Sequence, residues 1–151
     1  MKKKIRDEFN QVFRIMSTQA VMRSQIIANT LNINSTDLES IEVLFREGRT
    51  TAGTLAEFTG LTTGAITGVI DRLVRRGFVS REFDANDRRK VFIALNMKKI
   101  NEEIIPLYKS ISGSVDELLN DYSEKDLFVI LDFLKKTINL SQKDLDNLKK
   151  E

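Results

Sequence analysis

The sequence predicts a mainly helical α+β chain in which one small β-hairpin interrupts a run of helices. Three observations lead there. Apolar residues recur at three- and four-residue steps along most of the 151 residues, the period of amphipathic helices. That period gives way to alternation at Val91, Ile93 and Leu95, as on a half-buried strand. Between the stripes stand helix-starting hydroxyls such as Thr51 and Thr62 and helix-stopping glycines such as Gly48 and Gly77.

The elements follow in order. Residues 3–31 read as one helix with Ile5, Phe9, Val12, Phe13, Met16, Ala20 and Ile27 on its apolar stripe. At about 1.5 Å per residue it is roughly 40 Å long, more than a small body can cover. Asn32-Ile33-Asn34 breaks the pattern. Thr36 with Glu39 forms a capping box for the second helix, with Ser35 as the other cap. Leu38, Ile41, Leu44 and Phe45 face inward, and Gly48 ends it. A short third helix spans about 52–58 behind Thr51 or Thr50, with Leu55 and Ala56 inward. Gly60 permits a tight turn. The fourth helix, 63–76, starts on Thr62, buries Ile66, Ile70, Leu73 and Val74, and closes at Gly77. Phe78, Val79 and Phe83 supply the first strand, residues 84–90 a polar turn, and Val91 to Leu95 the second strand. A helix over about 97–121 follows, bent near Ile105 by Pro106; Ile104, Leu107, Ile111 and Leu118 are on its stripe. Ser123, with Asp126 three residues on, caps a last helix carrying Leu127, Ile130, Leu131, Leu134 and Ile138. Ser141 either caps a further segment through Lys150, with Leu145 and Leu148 apolar, or begins a frayed end.

Composition removes whole classes of chemistry. Cysteine and histidine are both absent. There is no disulfide framework, no thiol or imidazole catalysis, and no metal site of the zinc or copper type. No metal, cofactor or catalytic residue is expected, and no carboxylate spacing suggests a hydrolase. No apolar run approaches the length of a membrane span. The basic start Lys2-Lys3-Lys4 is followed by Arg6, Asp7 and Glu8 rather than an apolar segment, which argues against a signal peptide and for the bacterial cytoplasm. Net charge is only +2, so nucleic-acid binding has to be argued from local placement. Between Thr62 and Lys90 seven Arg or Lys oppose four acids.

Placement favours DNA. With Ile70 inward, Gly64, Ala65, Gly68, Arg72 and Arg75 lie on the opposite side of the fourth helix, flanked by Thr63 and Thr67. Thr62 and Thr63 can bind phosphate through hydroxyl and free N–H groups at the positive helix end. Thr67 offers a hydroxyl, or a methyl for thymine. Gly64 and Gly68 allow close backbone approach, or else close helix packing. Arg72 and Arg75 are assigned to phosphate, Arg76 to a structural role; Asp71 and Arg75 also have i, i+4 spacing. Arg88, Arg89 and Lys90 leave the polar turn together.

These same residues carry a resemblance. Asp71-Arg72-Leu73 with Gly77, and Asp87-Arg88-Arg89 beyond, resemble the winged helix-turn-helix of the MarR family of bacterial transcription regulators. Ala56, Gly60 and Ile66 resemble a general helix-turn-helix at the right offsets. The resemblance implies a winged helix-turn-helix over residues 35–96, flanked by dimerisation helices over 1–34 and 97–151. It implies a homodimer on a pseudo-palindromic double-stranded operator, acting as a repressor. The recognition helix would enter the major groove and a wing arginine, best matched by Arg89, the minor groove. Many members place a base-reading arginine where Gly68 stands, so shape should carry more of the specificity here. Asp87 would orient an arginine. The resemblance also implies a small lipophilic or phenolic effector, for which Phe9, Phe13, Met16, Met22, Leu44 and Phe45 could line a pocket; core packing is their other reading. The rival function is a winged-helix protein-interaction module that leaves DNA alone.

Overall fold

The computed structural model describes residues 2–87 and 89–148, the side chains of Ser110 and Ile111 aside. Arg88, the Ile111 side chain and the expected helix end at Lys150 therefore lie outside the described residues. The order is α1 (Lys2–Thr30), α2 (Ser35–Glu47), β1 (Thr50–Thr51), α3 (Ala52–Thr59), α4 (Thr63–Arg75), β2 (Val79–Phe83), β3 (Val91–Leu95), α5 (Met97–Lys99) with a π-helical turn (Ile100–Ile104), α6 (Ile105–Leu119) and α7 (Glu124–Leu148). The chain divides into two compact units, Met1–Ile104 and Ile105–Glu151.

The first unit holds the core. Leu38, Ile41 and Leu44 of α2, Leu55 of α3, and Ile66, Ile70 and Leu73 of α4 are fully buried with Phe78 and Ile93. Only the end of α1 joins them, through Ile27, Ala28 and Leu31. Asn32, at φ 52°, turns the chain out of α1, a left-handed conformation Asn tolerates better than most residues. Val69 is buried as well, which widens the α4 stripe beyond the one read from its period. Val74 is half-buried and Phe45 is exposed. The inward placement expected for Phe45 fails because it lies at the edge of the α2 stripe, where α3 and α4 do not reach it.

The sheet is antiparallel with order β1-β3-β2. β1 is two residues long and escaped the sequence reading, since two threonines show no period. It adds Thr50 opposite Ile93 and Thr51 opposite Phe92. The hairpin pairs Val79 with Leu95 through Phe83 with Val91. Val79 is buried, but Phe83 lies two pairs beyond the core and is 69% exposed.

Several helix boundaries differ from expectation. The α2 N-cap is Asn34, not Ser35 or Thr36. Its N–H meets the Asp37 carboxylate at 3.5 Å, so the box is built on Asn34 and Asp37 instead of Thr36 and Glu39. Starting one or two residues earlier puts Asp37 at the third helical position, from which it also reaches Arg72 of α4. The single helix expected over 97–121 is broken by the π-helical turn. Pro106 has no N–H for the carbonyl of Glu102 and its ring crowds it; the widened turn before it relieves that clash. α7 runs unbroken through Ser141, because an isolated serine does not outweigh the apolar repeat on either side.

The second unit has no interior of its own. None of its described residues is buried, although α7 carries Phe128, Leu131, Leu134, Ile138 and Leu145. The Ser123 hydroxyl caps α7, accepting from the Asp126 N–H at 3.3 Å. No helix among the described residues is long and apolar enough to cross a membrane.

Candidate nucleic-acid interface

The interface begins at the turn between α3 and α4. Thr51 caps α3 through the Thr54 N–H. Gly60, at φ 70°, ends it in the left-handed region, where glycine carries no Cβ penalty. Two residues later Thr62 caps α4, its Oγ1 accepting from the Ala65 N–H at 3.3 Å. That leaves the Thr62 hydroxyl proton free. It also leaves the N–H groups of Thr63 and Gly64 as orphans of the helix start.

Thr62, Thr63, Gly64, Ala65 and Thr67 are all exposed on this end of α4. The Thr67 hydroxyl donates back to the Thr63 carbonyl at 2.8 Å. Its one proton is committed, so Thr67 presents its methyl and an acceptor. No described heavy atom lies within 4 Å of where a Gly64 Cβ would stand; packing inside the chain does not require that glycine. A Cβ on Gly68 would meet only Arg72 Nη1, at 3.6 Å.

The cations further along α4 have partners of unequal strength. Arg72 is bound by Asp37, whose side chain is 3% exposed. Its Nε donates to Oδ1 and Oδ2 at 3.2 and 3.1 Å, and its Nη2 to Oδ1 at 2.6 Å. The bond to Asp37 raises the guanidinium pKa against the opposing effect of burial. Nη1 remains beside Gly68. Arg76 Nη2 donates to the Leu31 carbonyl at 2.5 Å, the structural role expected of it. Arg75 is exposed and, among the described residues, bonds only the Asp71 carbonyl, at 3.4 Å. The i, i+4 pair of Asp71 with Arg75 does not form through side chains. The Asp71 carboxylate binds Arg81 of β2 at 2.6 Å instead, because the strand brings that guanidinium beside it. Asp71 and Arg72 thus tie α4 in two directions, to the hairpin and to α2.

The hairpin turn is organised by two aspartates. Asp84 Oδ1 accepts from the N–H groups of Asn86 and Asp87 at 2.8 and 3.0 Å. Those two bonds, with the charges of Lys90 and Arg49, hold its carboxyl below the usual carboxylate range. Asp87 Oδ1 accepts from the Arg89 N–H at 3.1 Å and faces its Nε at 3.4 Å. Asp87 therefore orients Arg89, whose side chain is 94% exposed. Lys90 is exposed beside it. Arg88 lies outside the described residues.

The six residues expected around an effector differ in their surroundings in the single chain. Leu44 is core. Phe9, Met16, Met22 and Phe45 are exposed, and Phe13 is half-buried with its ring 6.5 Å from Phe9. A recess of about 240 Å³ lies elsewhere, lined by Asn32, Ile33, Asn34, Asp37, Arg72, Arg75 and Arg76. No cluster of three or more carboxylates able to hold a metal ion occurs among the described residues.

Sequence reasoning missed Asp37, Arg81 and Arg49 as parts of this site. Asp37 and Arg49 act on partners 35 and 33 positions away and Arg81 on one ten away in another element, and local patterning carries no sign of either.

Comparison with known proteins agrees with this geometry. A sequence model of the MarR family matches residues 33–91. The uncharacterised HTH-type transcriptional regulator YcgE of Bacillus subtilis is 37% identical over 139 residues, covering 92% of this chain and 90% of the relative. The HTH-type transcriptional repressor YetL of the same organism is 40% identical over 77 residues, half of this chain and 46% of the relative. A MarR family protein from Bacillus stearothermophilus has a solved structure that superposes with a TM-score of 0.70 at 22% identity, covering 94% of this chain and 99% of that one.

Proposed function

Because this chain belongs to the MarR family and is a DNA-binding transcriptional regulator, we propose that it represses as a homodimer on a pseudo-palindromic operator. One observation carries the reading. The open start of α4 and a wing arginine held out by Asp87 belong to one compact unit, in which the Asp71–Arg81 ion pair joins α4 to β2.

The α4 start enters the major groove. Thr62 donates its free hydroxyl proton to a phosphate, and the Thr63 and Gly64 N–H groups add to it at the positive helix end. Gly64, Ala65 and Gly68 let the backbone approach the base edges, and Thr67 sets its methyl against thymine. Arg75 and the free Nη1 of Arg72 reach flanking phosphates. Arg89 enters the adjacent minor groove, where A·T-rich sequence concentrates negative potential. Arg88 and Lys90 bind the backbone beside it. With little bidentate base reading, specificity rests on shape and deformability.

The uncovered apolar faces of α1, α6 and α7 support the homodimer. A chain with this much apolar surface in water is unfavourable until a second copy covers it. The exposed apolar side chains of Phe9, Met16 and Met22 on α1 and of Phe45 on α2 are where a small lipophilic or phenolic effector would settle. A regulator of this kind works where the DNA is, in the bacterial cytoplasm.

A footprint on DNA flanking its own gene tests the proposal. Two protected half-sites about 34–36 Å apart are expected. Arg89→Ala should weaken operator binding by about 1–3 kcal/mol with the fold intact; unchanged affinity would remove the wing from the interface.

A further inference from the structure

We propose that Arg49 is a positioning residue of the wing, a strap across the outer face of the sheet that fixes the inclination at which the hairpin meets DNA. The inference rests on the reading of the wing as a DNA contact. Thr51 stands opposite Phe92 and Thr50 opposite Ile93. By alternation Arg49 and Thr51 share the face of Phe92, while Ile93 points into the core. Glu82 is directly opposite Phe92 on the other side of β3.

Arg49 therefore crosses three strands. Its guanidinium lies 4.9 Å from the centre of the Phe92 ring, and its Nη1 reaches the Glu82 carboxylate at 3.3 Å. One further ladder pair, Phe83 with Val91, separates this contact from the turn. β2 hydrogen-bonds only to β3, so a hairpin of two strands would be free to twist and bend about its root. Arg81 ties β2 to α4 on the inner face. Arg49 ties the same strand to β1 on the outer face. Opposed ties on the two faces stop the hairpin from rocking toward or away from the recognition helix. The positive charge of Arg49 also reaches Asp84 at the tip, adding to the stronger pull of the Asn86 and Asp87 N–H groups and of Lys90.

The consequence is specific. Helix and wing must meet adjacent grooves together, so a rocking wing loses affinity only where the wing contributes. The probe is a duplex recovered from random DNA by selection with the full-length wild-type protein. A second duplex keeps its centre and has its A·T flanks replaced by G·C. Affinities are read by fluorescence anisotropy, and fold by the thermal midpoint. Arg49→Ala should lose about three- to tenfold in affinity on the first duplex, in keeping with one half-exposed ion pair plus one cation–π contact. On the second duplex, and on an Arg89→Ala background, the loss should shrink to under about twofold, as coupled sites are non-additive. The exchange Arg49→Glu with Glu82→Arg should restore binding, because residue 82 faces Phe92 directly.

Equal losses on both duplexes, additivity with Arg89→Ala, or unchanged affinity of Arg49→Ala each overturns the strap. Should Arg49→Ala lower the thermal midpoint, the exchange variant decides: folded yet still weak on the first duplex, it refutes the proposal. If Arg89→Ala alone changes nothing on either duplex, the wing reading fails and takes this inference with it.

Discussion

Asp37 and Arg72 allow a prediction free of any assumption about DNA. The two form one ion pair, but their surroundings differ: the Asp37 side chain is 3% exposed and that of Arg72 38%. Removing either partner breaks the same three hydrogen bonds. What is left behind decides the magnitude. Arg72→Ala strands a carboxylate beneath the surface, and breaking a buried pair that way costs about 3–5 kcal/mol. Asp37→Ala strands a guanidinium that can swing into water, so the penalty falls to roughly 2 kcal/mol, including the lost contact to the Asn34 N–H at the α2 start. Urea unfolding at one fixed protein concentration and constant pH reads both, since the chain concentration enters the stability of any dimer. The double variant should lie no lower than Arg72→Ala alone. If Asp37→Ala proved the more damaging single change, the inside–outside asymmetry of the pair would be wrong.

The remaining predictions concern assembly, charge and pH. Ile5, Phe9, Val12 and Met16 are each about half exposed along one face of α1; Phe9→Asp should convert the proposed dimer to single chains by sedimentation, and an unchanged mass would remove this face from the proposed interface. If the dimer neutralises about eight phosphates, log affinity should fall with log salt at a slope near about −7, and a slope shallower than about −3 would contradict the proposed contact set. Asp84 has a depressed pKa in the folded chain, so its contribution to the turn is present above the unfolded value of about 3.9 and lost as pH falls through the lower folded one. The amide resonances of Asn86 and Asp87 should therefore hold to about pH 4 and shift only below it; a midpoint at or above that value would show the two N–H bonds to be absent.

How much of this was written locally in the chain can be judged element by element. The caps at Thr51 and Thr62, the turn at Gly60 and the stop at Gly77 were legible because each is a short-range rule about one residue and its neighbours. The α4 stripe was legible because Ile66, Ile70 and Leu73 repeat at the helical period. β1 was not, because two threonines cannot show a period. The unbroken α7 was misread at Ser141, where a capping residue type sits without a helix end. Hardest of all were the ties that set the geometry of the site. Arg72 finds Asp37 35 positions away, Arg49 finds Glu82 33 away, and Arg76 finds the Leu31 carbonyl 45 away. Arginine reaches far and tolerates many partners, so only the folded backbone selects among them.

The bare face of α4 has an implication for how its reading could change. Gly64 and Gly68 each sacrifice up to about 1 kcal/mol of helix stability relative to alanine. Open space surrounds the first, and only the movable end of Arg72 adjoins the second. A Cβ introduced at either place meets no more than ordinary contact, and an alanine there strengthens the helix that bears it. New sequence preferences could therefore arise there by single substitutions, with stability rising rather than falling as the repertoire shifts.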